Sequence, residues 1–433
     1  MSKIRVLVVP SDRAGVSKYR SVDPHLKLEE LYGDEFFVDI ITAGTDTFDW
    51  FDDSFLGSYD IVHFHRTLPM IVDGRVEHVY GSDFVKIIER FKKFNVKTVM
   101  DLDDYWMVPD THPAYHNFKK MEINKKIIEN IKLSDYITTT TSIFADIIKK
   151  YNKNVIVTPN AVDPSDEQFK PKKEETNKKI RVGWLGGSTH VSDLSLSSEG
   201  VTNFLSKHKE DTQFVLCGFD TRGYKWDFNK ETRQTYKRKI KPEETTWSTY
   251  EKMFTNDYKL LNSDYVKDLL KFEDNLDDKD GLYRRVWTKP ITSYAKNYNL
   301  FDVSIAPIVS DKFNLVKSQL KVIESGFHKN ALIASDFGPY QIDLVNAFKK
   351  GGGINENGNS FLVREHRGHK DWSKYLEVLY KTDGLVDLLG ENLFKSVQKY
   401  HINEITKLRS DFYKEVMSQG QLKEETINEI NNH

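Results

Sequence analysis

Apolar residues in the first 165 positions gather into short continuous runs, and between the runs their spacing switches to helical period. The runs predict strands at Arg5–Val9, Phe37–Thr42, Ile61–His65, Thr98–Asp101, Tyr136–Thr139 and Val155–Thr158. The helical spacing predicts helices at Pro24–Leu31, Gly81–Phe94, Lys119–Leu133 and Ile143–Lys150. Continuous apolar strands alternating with helices are the pattern of a parallel sheet covered on both faces. From Pro164 to Lys179 the pattern stops, and Lys170-Pro171-Lys172-Lys173-Glu174-Glu175 reads as a solvated linker. It restarts with a strand at Lys179–Leu185, followed by Phe214–Cys217, Val303–Ala306 and Leu332–Ala334 with helices between. Between Gly218 and Val286 lies a charged, aromatic insertion of weak periodicity. One long helix is expected from about Gly390 to Gln419, with a polar tail at Leu422–His433. The fold class read from this is α/β: two Rossmann-like doubly wound domains facing a cleft, with ligands beyond the carboxyl ends of the strands.

Composition narrows the picture. With 433 residues the chain exceeds one ordinary core, and a net charge of −2 supplies no global field for polyanions, so any such contact needs a local patch. Cys217, the single cysteine, excludes an internal disulfide and a cysteine metal cluster, and its strand context predicts a core residue. The chain starts directly on a strand, Ile4–Pro10, with no secretory apolar region and no run of transmembrane length. A cytoplasmic protein is the expectation.

Three stretches carry candidate chemistry. Phe313-Asn314-Leu315-Val316-Lys317-Ser318-Gln319-Leu320-Lys321-Val322-Ile323-Glu324 predicts a loop and then a helix starting near Lys317-Ser318, with Lys321 and Glu324 on one side. Cations and free N–H groups at a helix start suit a diphosphate, and a carboxylate suits ribose hydroxyls; a solvated amphipathic face is the plainer alternative. Gly183-Trp184-Leu185-Gly186-Gly187-Ser188-Thr189-His190 lets backbone approach a ligand closely, or makes a tight strand-to-helix turn. Asp101-Leu102-Asp103-Asp104-Tyr105-Trp106 ends a strand: its carboxylates are read as acceptor-binding or base groups, ahead of helix capping and of a divalent-metal D-x-D. His63-Phe64-His65-Arg66 puts two histidines on one strand face, a core or cleft pair rather than a metal pair, with His65 and Arg66 at the strand's end.

Taken in order, Gly186-Gly187-Ser188-Thr189-His190, Asp302-Val303-Ser304-Ile305-Ala306-Pro307, Asn314…Lys317-Ser318…Lys321…Glu324, Ser335…Gly338-Pro339-Tyr340 and Asn357-Gly358-Asn359-Ser360-Phe361-Leu362-Val363 resemble the donor domain of nucleotide-sugar glycosyltransferases. The resemblance is to the large retaining family four of the GT-B fold. Ser134–Thr141 and Val157–Asp163 resemble the strand ends that close its acceptor domain. It covers roughly three quarters of the chain, by the order of these motifs.

What the resemblance implies is a first acceptor domain at 1–165, a linker at 166–179, and a donor domain at 180–404 with an insertion at 219–286. A C-terminal helix at about 405–433 would pack back on the first domain. It implies a nucleoside-diphosphate sugar as donor substrate, no cofactor and no obligatory metal. Glu324 would bind ribose, Lys317 and Lys321 with Ser318 would face the diphosphate, and Gly186, Gly187 and His190 would lie near phosphates or sugar. Ser11–Arg20 would be the loop that closes over the reaction centre, with Gly15 near the phosphates. Asp103, Asp104 and His65 are the catalytic candidates. Val316 stands where many members carry a sugar-reading Glu, so Asn314 or loop N–H groups would read the sugar instead.

The acceptor is open between a lipid or glycan and DNA. Lys119-Lys120…Lys125-Lys126 is basic but reads as a solvated face. The 219–250 stretch interleaves Tyr224, Trp226, Phe228, Tyr236 and Trp247 with Arg222, Lys225, Arg233, Lys237, Arg238 and Lys239, a mixture that can stack bases and touch phosphates. In composition the chain also resembles bacteriophage enzymes that glycosylate hydroxymethylated bases of their own DNA, where the base must be flipped out. A sugar-nucleotide epimerase or hydrolase, or a silent sugar-nucleotide-binding protein, remains the reading from another class.

Overall fold

The computed structural model describes residues 2–11, 15–41, 48–73, 75–112, 114–229, 231–272 and 279–419. Asp12–Ala14 of the first loop, Thr42 and the Leu422–His433 tail lie outside them. The chain divides into two compact units. One comprises Met1–Asp163, Asp311–Ile323 and Gln398–His433; the other comprises Pro164–Ser310 and Glu324–Val397.

In the first unit a six-stranded parallel sheet runs, edge to edge, Phe36–Ile40, Ile4–Val9, Ile61–His65, Lys97–Leu102, Tyr136–Thr139, Val155–Val157. Side-chain alternation sends Leu7, Phe64, Met100 and Ile137 to one face, against Phe84, Ile87, Ile127 and Phe144 of the flanking helices. Val6, Val8, Val99 and Tyr136 go to the other face, against Leu28 of the helix Asp23–Tyr32 and Phe412, Tyr413 and Val416 of the helix Ile402–Gln419. Both faces are therefore covered, which is why these strands read as largely apolar runs. The order reverses between Ile4–Val9 and Ile61–His65, the place where such a sheet opens a crevice at its carboxyl edge.

The second unit repeats the plan with Tyr283–Trp287, Thr212–Phe219, Ile180–Leu185, Val303–Ala306, Ala331–Ser335 and Phe361–Val363, all parallel. Its order reverses beside Ile180–Leu185, whose carboxyl end carries the glycine loop. Cys217 is buried in the neighbouring strand. Among the described residues no helix is long and apolar enough to cross a membrane.

Several elements depart from the sequence reading. The 219–286 stretch is not one insertion. Trp247, Tyr250 and Phe254 of the helix Thr246–Phe254 are buried in the core, and Tyr283–Trp287 is an edge strand of the sheet. The antiparallel ribbon Tyr224–Asn229 and Gln234–Lys239 forms a two-stranded sheet of its own, apart from the six-stranded one. The charged linker is partly docked: Gln168 and Phe169 are buried, and Glu174 pairs with Arg284 at 2.6 Å. The Lys119–Leu133 helix is two helices, broken where Glu122 takes a left-handed φ of 50°. The long terminal helix is also two, Leu385–Val397 and Ile402–Gln419.

Behind the first sheet lies a buried polar cluster. His25 Nε2 is 2.7 Å and His63 Nδ1 3.0 Å from the Tyr413 hydroxyl, with Arg409 at 3.5 Å. Burial first, and the Arg409 charge second, hold both histidines well below their ordinary 6.5, so both are neutral in the fold. A neutral buried His loses stability as pH falls through the unfolded value, because the unfolded chain then binds more protons. Urea unfolding is therefore expected to show stability falling between pH 7 and 5, by on the order of 1 kcal/mol per pH unit for each histidine. His25→Gln should make that fall shallower. An unchanged slope in the variant would contradict the assignment.

Candidate active site

The carboxyl edge of the first sheet is organised by one buried ion pair. Arg20, on a π-helical turn at Lys18–Val22, donates through Nε to Asp101 Oδ2 at 2.9 Å and through Nη2 to Asp101 Oδ1 at 2.6 Å. Arg20 also donates to the Thr158 carbonyl at 2.5 Å and to Asn160 Oδ1 at 3.2 Å, and Thr138 Oγ1 donates to Asp101 at 2.6 Å. Neither Arg20 nor Asp101 is exposed beyond 1%. The sequence placed Arg20 at the end of the loop that would close over the reaction centre and named no partner for it. Its partner lies 81 residues away, and no local pattern announces it.

Strand register sets His65 opposite Asp101. The His65 ring then bridges two groups, Nδ1 2.8 Å from Ser11 Oγ and Nε2 2.7 Å from Asp103 Oδ1. Arg66, in the left-handed region at φ 59°, donates to the same Asp103 oxygen at 2.8 Å and lies 3.3 Å from Asp104 Oδ2. A bulky residue held there marks a constrained site. Burial alone would push the Asp103 carboxyl up, but Arg66 and His65 outweigh it and hold Asp103 well below the usual carboxylate range. Asp103 is therefore a poor proton acceptor. As a carboxylate it accepts a hydrogen bond from His65 Nε2–H, which leaves Nδ1 facing the Ser11 hydroxyl. Asp101 and Asp103 are each committed to cations of the protein. The edge opens into a cavity of about 960 Å³, with Ser11, His65, Arg66 and Asp104 at a polar side and Met70, Val79, Tyr80, Phe118 and Ile127 at an apolar one.

Asp311–Ile323 belongs to this same unit. Asp311 caps the turn Lys312–Leu315 by accepting the Asn314 N–H at 2.7 Å, and Asn314 itself is buried. Lys317 Nζ sits 4.9 Å from the centre of the Phe313 ring. Ser318 Oγ accepts from Asn160 Nδ2 at 3.1 Å, which joins this segment to the Arg20 network. Val316 is fully buried in the first unit's core, a place where a glutamate would lose its solvation. The helix begins at Leu320 rather than Lys317-Ser318, so both of those residues lie in the extended entry to it. Gly15 opens the short turn Gly15–Ser17 that leads to Arg20.

In the second unit the glycine loop lies at the carboxyl end of Ile180–Leu185 and leads into the 17-residue helix Val191–Lys207. Its two glycines differ. A Cβ on Gly186 would come within 2.4 Å of the Trp184 ring, whereas one on Gly187 would meet nothing within 4 Å. Gly186 is thus a packing requirement and Gly187 an open backbone surface at a helix N-terminus. Tyr250, which the sequence did not reveal as part of the site, staples the loop: its hydroxyl donates to the Gly187 carbonyl at 3.0 Å and accepts the His190 N–H at 3.0 Å. His190 Nδ1 is 2.8 Å from Asp193 Oδ2, and the other Asp193 oxygen accepts the Val309 N–H at 2.9 Å.

Glu324 is buried at 3% exposure. Tyr298 donates to its Oε2 at 2.9 Å, and Tyr294 donates to its Oε1. Burial and the Glu324 charge push the Tyr298 phenol well up, so it remains a donor. The two phenols fix the orientation of the carboxylate. Lys321, on the same helix, is half-buried. Both tyrosines lie on the 3₁₀ turn Tyr294–Leu300, and nothing in the sequence joins them to Glu324 until the fold is known.

No family model matches the chain. A 127-residue stretch is 23% identical to a valine–tRNA ligase of Fusobacterium nucleatum; it covers 28% of this chain and 14% of that protein, so the chain spans a small part of that relative's length. Solved structures match over nearly the whole chain. A glycosyltransferase from Rickettsia africae has a TM-score of 0.53 at 14% identity, covering 97% of this chain and all of that one. Sucrose-phosphate synthase from Thermosynechococcus elongatus has a TM-score of 0.58 at 13% identity, covering 96% and all of that chain. HepE of Anabaena in complex with UDP has a TM-score of 0.55 at 10% identity, covering 95% and all of that chain. At these identities the likeness is one of fold: the chain has the α/β GT-B fold, built of two Rossmann-like units with a parallel six-stranded sheet in each.

Proposed function

We propose that this chain is a glycosyltransferase that moves a sugar, with retention, from a nucleoside-diphosphate sugar to a hydroxyl on a hydroxymethylated base of phage DNA. The observation that carries the transferase reading is the open Gly187 backbone at the switch point of the second sheet, heading a long helix whose N–H groups suit phosphate. The fold likeness supports it, and HepE is a protein whose structures hold UDP and UDP-glucose, so uridine nucleotides are the first donors to test.

In this reading Glu324 takes a ribose hydroxyl, held for it by Tyr294 and Tyr298. Gly186, Gly187, His190, Lys317, Ser318 and Lys321 receive the diphosphate, and Gly15 and Asn314 complete the donor contacts. The bond between anomeric carbon and phosphate oxygen breaks with its electron pair going to the diphosphate, whose charge the lysines and N–H groups stabilise. The acceptor oxygen bonds the same carbon on the same face and gives its proton to His65 Nδ1, with Asp103 fixing the ring and Asp104 with Arg66 steadying the acceptor. Support for a DNA acceptor is the run Arg222–Lys241, which holds eight basic and two acidic residues in a chain of net charge −2.

The test is nucleoside-diphosphate release from a panel of UDP-, GDP- and CDP-sugars, with hydroxymethylcytosine DNA, lipid-linked glycan or no acceptor. Release that requires the modified DNA is the expected result; release only with lipid or glycan would overturn the acceptor. Calorimetric titration should show Gly187→Ala and Glu324→Ala weakening donor binding by about tenfold or more, roughly 1.4 kcal/mol. Gly187→Ala should leave the melting temperature unchanged while Gly186→Ala lowers it, since only the latter displaces Trp184. His65→Asn should lower kcat by about a hundredfold or more with donor affinity intact. Equal kcat in His65→Asn and the parent would remove His65 from the reaction.

A further inference from the structure

The two-stranded ribbon Tyr224–Asn229 and Gln234–Lys239 is turned inside out. Its inner face carries the ions: Arg238 pairs with Asp227 at 2.5 Å and with Glu244 at 2.6 Å, and Lys225 pairs with Glu244 at 2.6 Å. Its outer face carries the rings, with Tyr224 61%, Trp226 69% and Phe228 58% exposed. Register sets Lys239 directly across from Tyr224 and Lys237 directly across from Trp226, and Lys237 Nζ lies 4.6 Å from the centre of the Tyr224 ring. Among the described residues neither lysine has a carboxylate partner. Three large rings in a row in water are unfavourable unless something covers them in use.

We propose that this outer face is a dock for single-stranded nucleic acid, each ring stacking on an unpaired base and Lys239 and Lys237, which face Tyr224 and Trp226, meeting phosphates. The repeat of the surface is ring plus cation, and the repeat of a nucleic-acid strand is base plus phosphate. Rings two residues apart on a strand are about 6.8 Å apart, so three span about 14 Å. At 3.4 Å per stacked nucleotide that is about four nucleotides, within the site sizes of single-strand grooves. A closed duplex offers no base faces to such rings, so the strand is unpaired. A ribbon that enters a membrane would carry its rings at its tip, whereas here the turn holds Asn229, Glu231, Thr232 and Arg233 and the rings run along the strand. The dock deepens the DNA-acceptor reading and rests on it: a base extruded for glycosylation leaves a locally opened strand to be held.

The test is fluorescence anisotropy of a labelled, unmodified single-stranded oligonucleotide of about 20 nucleotides against the full chain. The parent should bind it more tightly than the matching duplex. The double variant Trp226→Ala/Phe228→Ala should weaken binding by about tenfold or more. Lys237→Gln/Lys239→Gln should flatten the slope of log affinity against log salt by about 1.4, at 0.7 per lost phosphate contact. Both should keep the circular dichroism and the UDP affinity of the parent, since the ribbon stands apart from the sheet. Unchanged strand binding in both variants, no strand binding by the parent, or preference for vesicles of anionic phospholipid over the oligonucleotide would overturn the dock. If the ribbon variants glycosylate hydroxymethylated DNA at the parent rate, the transfer reading stands and the dock falls. If strand binding depends on the ribbon but DNA gains no sugar, the dock stands and the acceptor reading falls.

Discussion

The buried pair between Arg20 and Asp101 is the constraint on which the first unit's working edge depends. A guanidinium and a carboxylate out of water are costly unless both are fully hydrogen-bonded, and removing either partner from such a pair typically costs about 3–5 kcal/mol. Here the pair is completed by Thr138, Thr158 and Asn160, so the guanidinium ties the turn after the first strand to the ends of two others and Asp101 carries the tie to a third through Thr138. What it gives is position more than stability. Asp101 is the register neighbour of His65, and Asn160 continues the network to Ser318. The groups read as catalytic and the entry to the Lys321–Glu324 helix therefore hang on the same lattice of hydrogen bonds.

The two sheets use one topological device for two kinds of chemistry. At the first reversal of strand order the protein assembles a relay of Ser11, His65 and Asp103, with Arg66 keeping Asp103 ionised so that it orients the ring. At the second it leaves backbone bare at Gly187 and braces the loop with the Tyr250 hydroxyl. In the proposed reaction the first edge would take the acceptor's proton and the second would receive the diphosphate. Val316 fits the same division. It serves the first unit's core, so whatever reads the donor sugar does so through other groups.

Most strands buried on both faces were legible because their runs are largely apolar, with only single polar residues such as His63, Arg181 and Ser304 inside them, and the loops that mattered were legible because they follow those runs. Tyr283–Trp287 was not, because Arg284 and Arg285 break the run; each is buried only by virtue of a distant partner, Glu174 and Glu251. Arg20 escaped for the same reason. A buried charge has a pattern only in three dimensions. Trp247 was misread as a surface ring although Trp247, Tyr250 and Phe254 keep helical spacing, a signal outweighed by the charged run before it. The candidate donor-binding residues Lys317, Lys321 and Glu324 stood out as a pattern, but the tyrosines that hold Glu324 lie 30 and 26 residues upstream of it and did not.

The most direct measurement is of the product itself. After incubation with a UDP-sugar, hydroxymethylated DNA is digested to nucleosides and analysed by mass spectrometry and proton NMR. The account predicts a hydroxymethylated nucleoside heavier by one sugar residue, with the anomeric configuration of the donor preserved. Free sugar and nucleoside diphosphate with an unmodified nucleoside, or a nucleotide sugar altered only in its own stereochemistry, would contradict it.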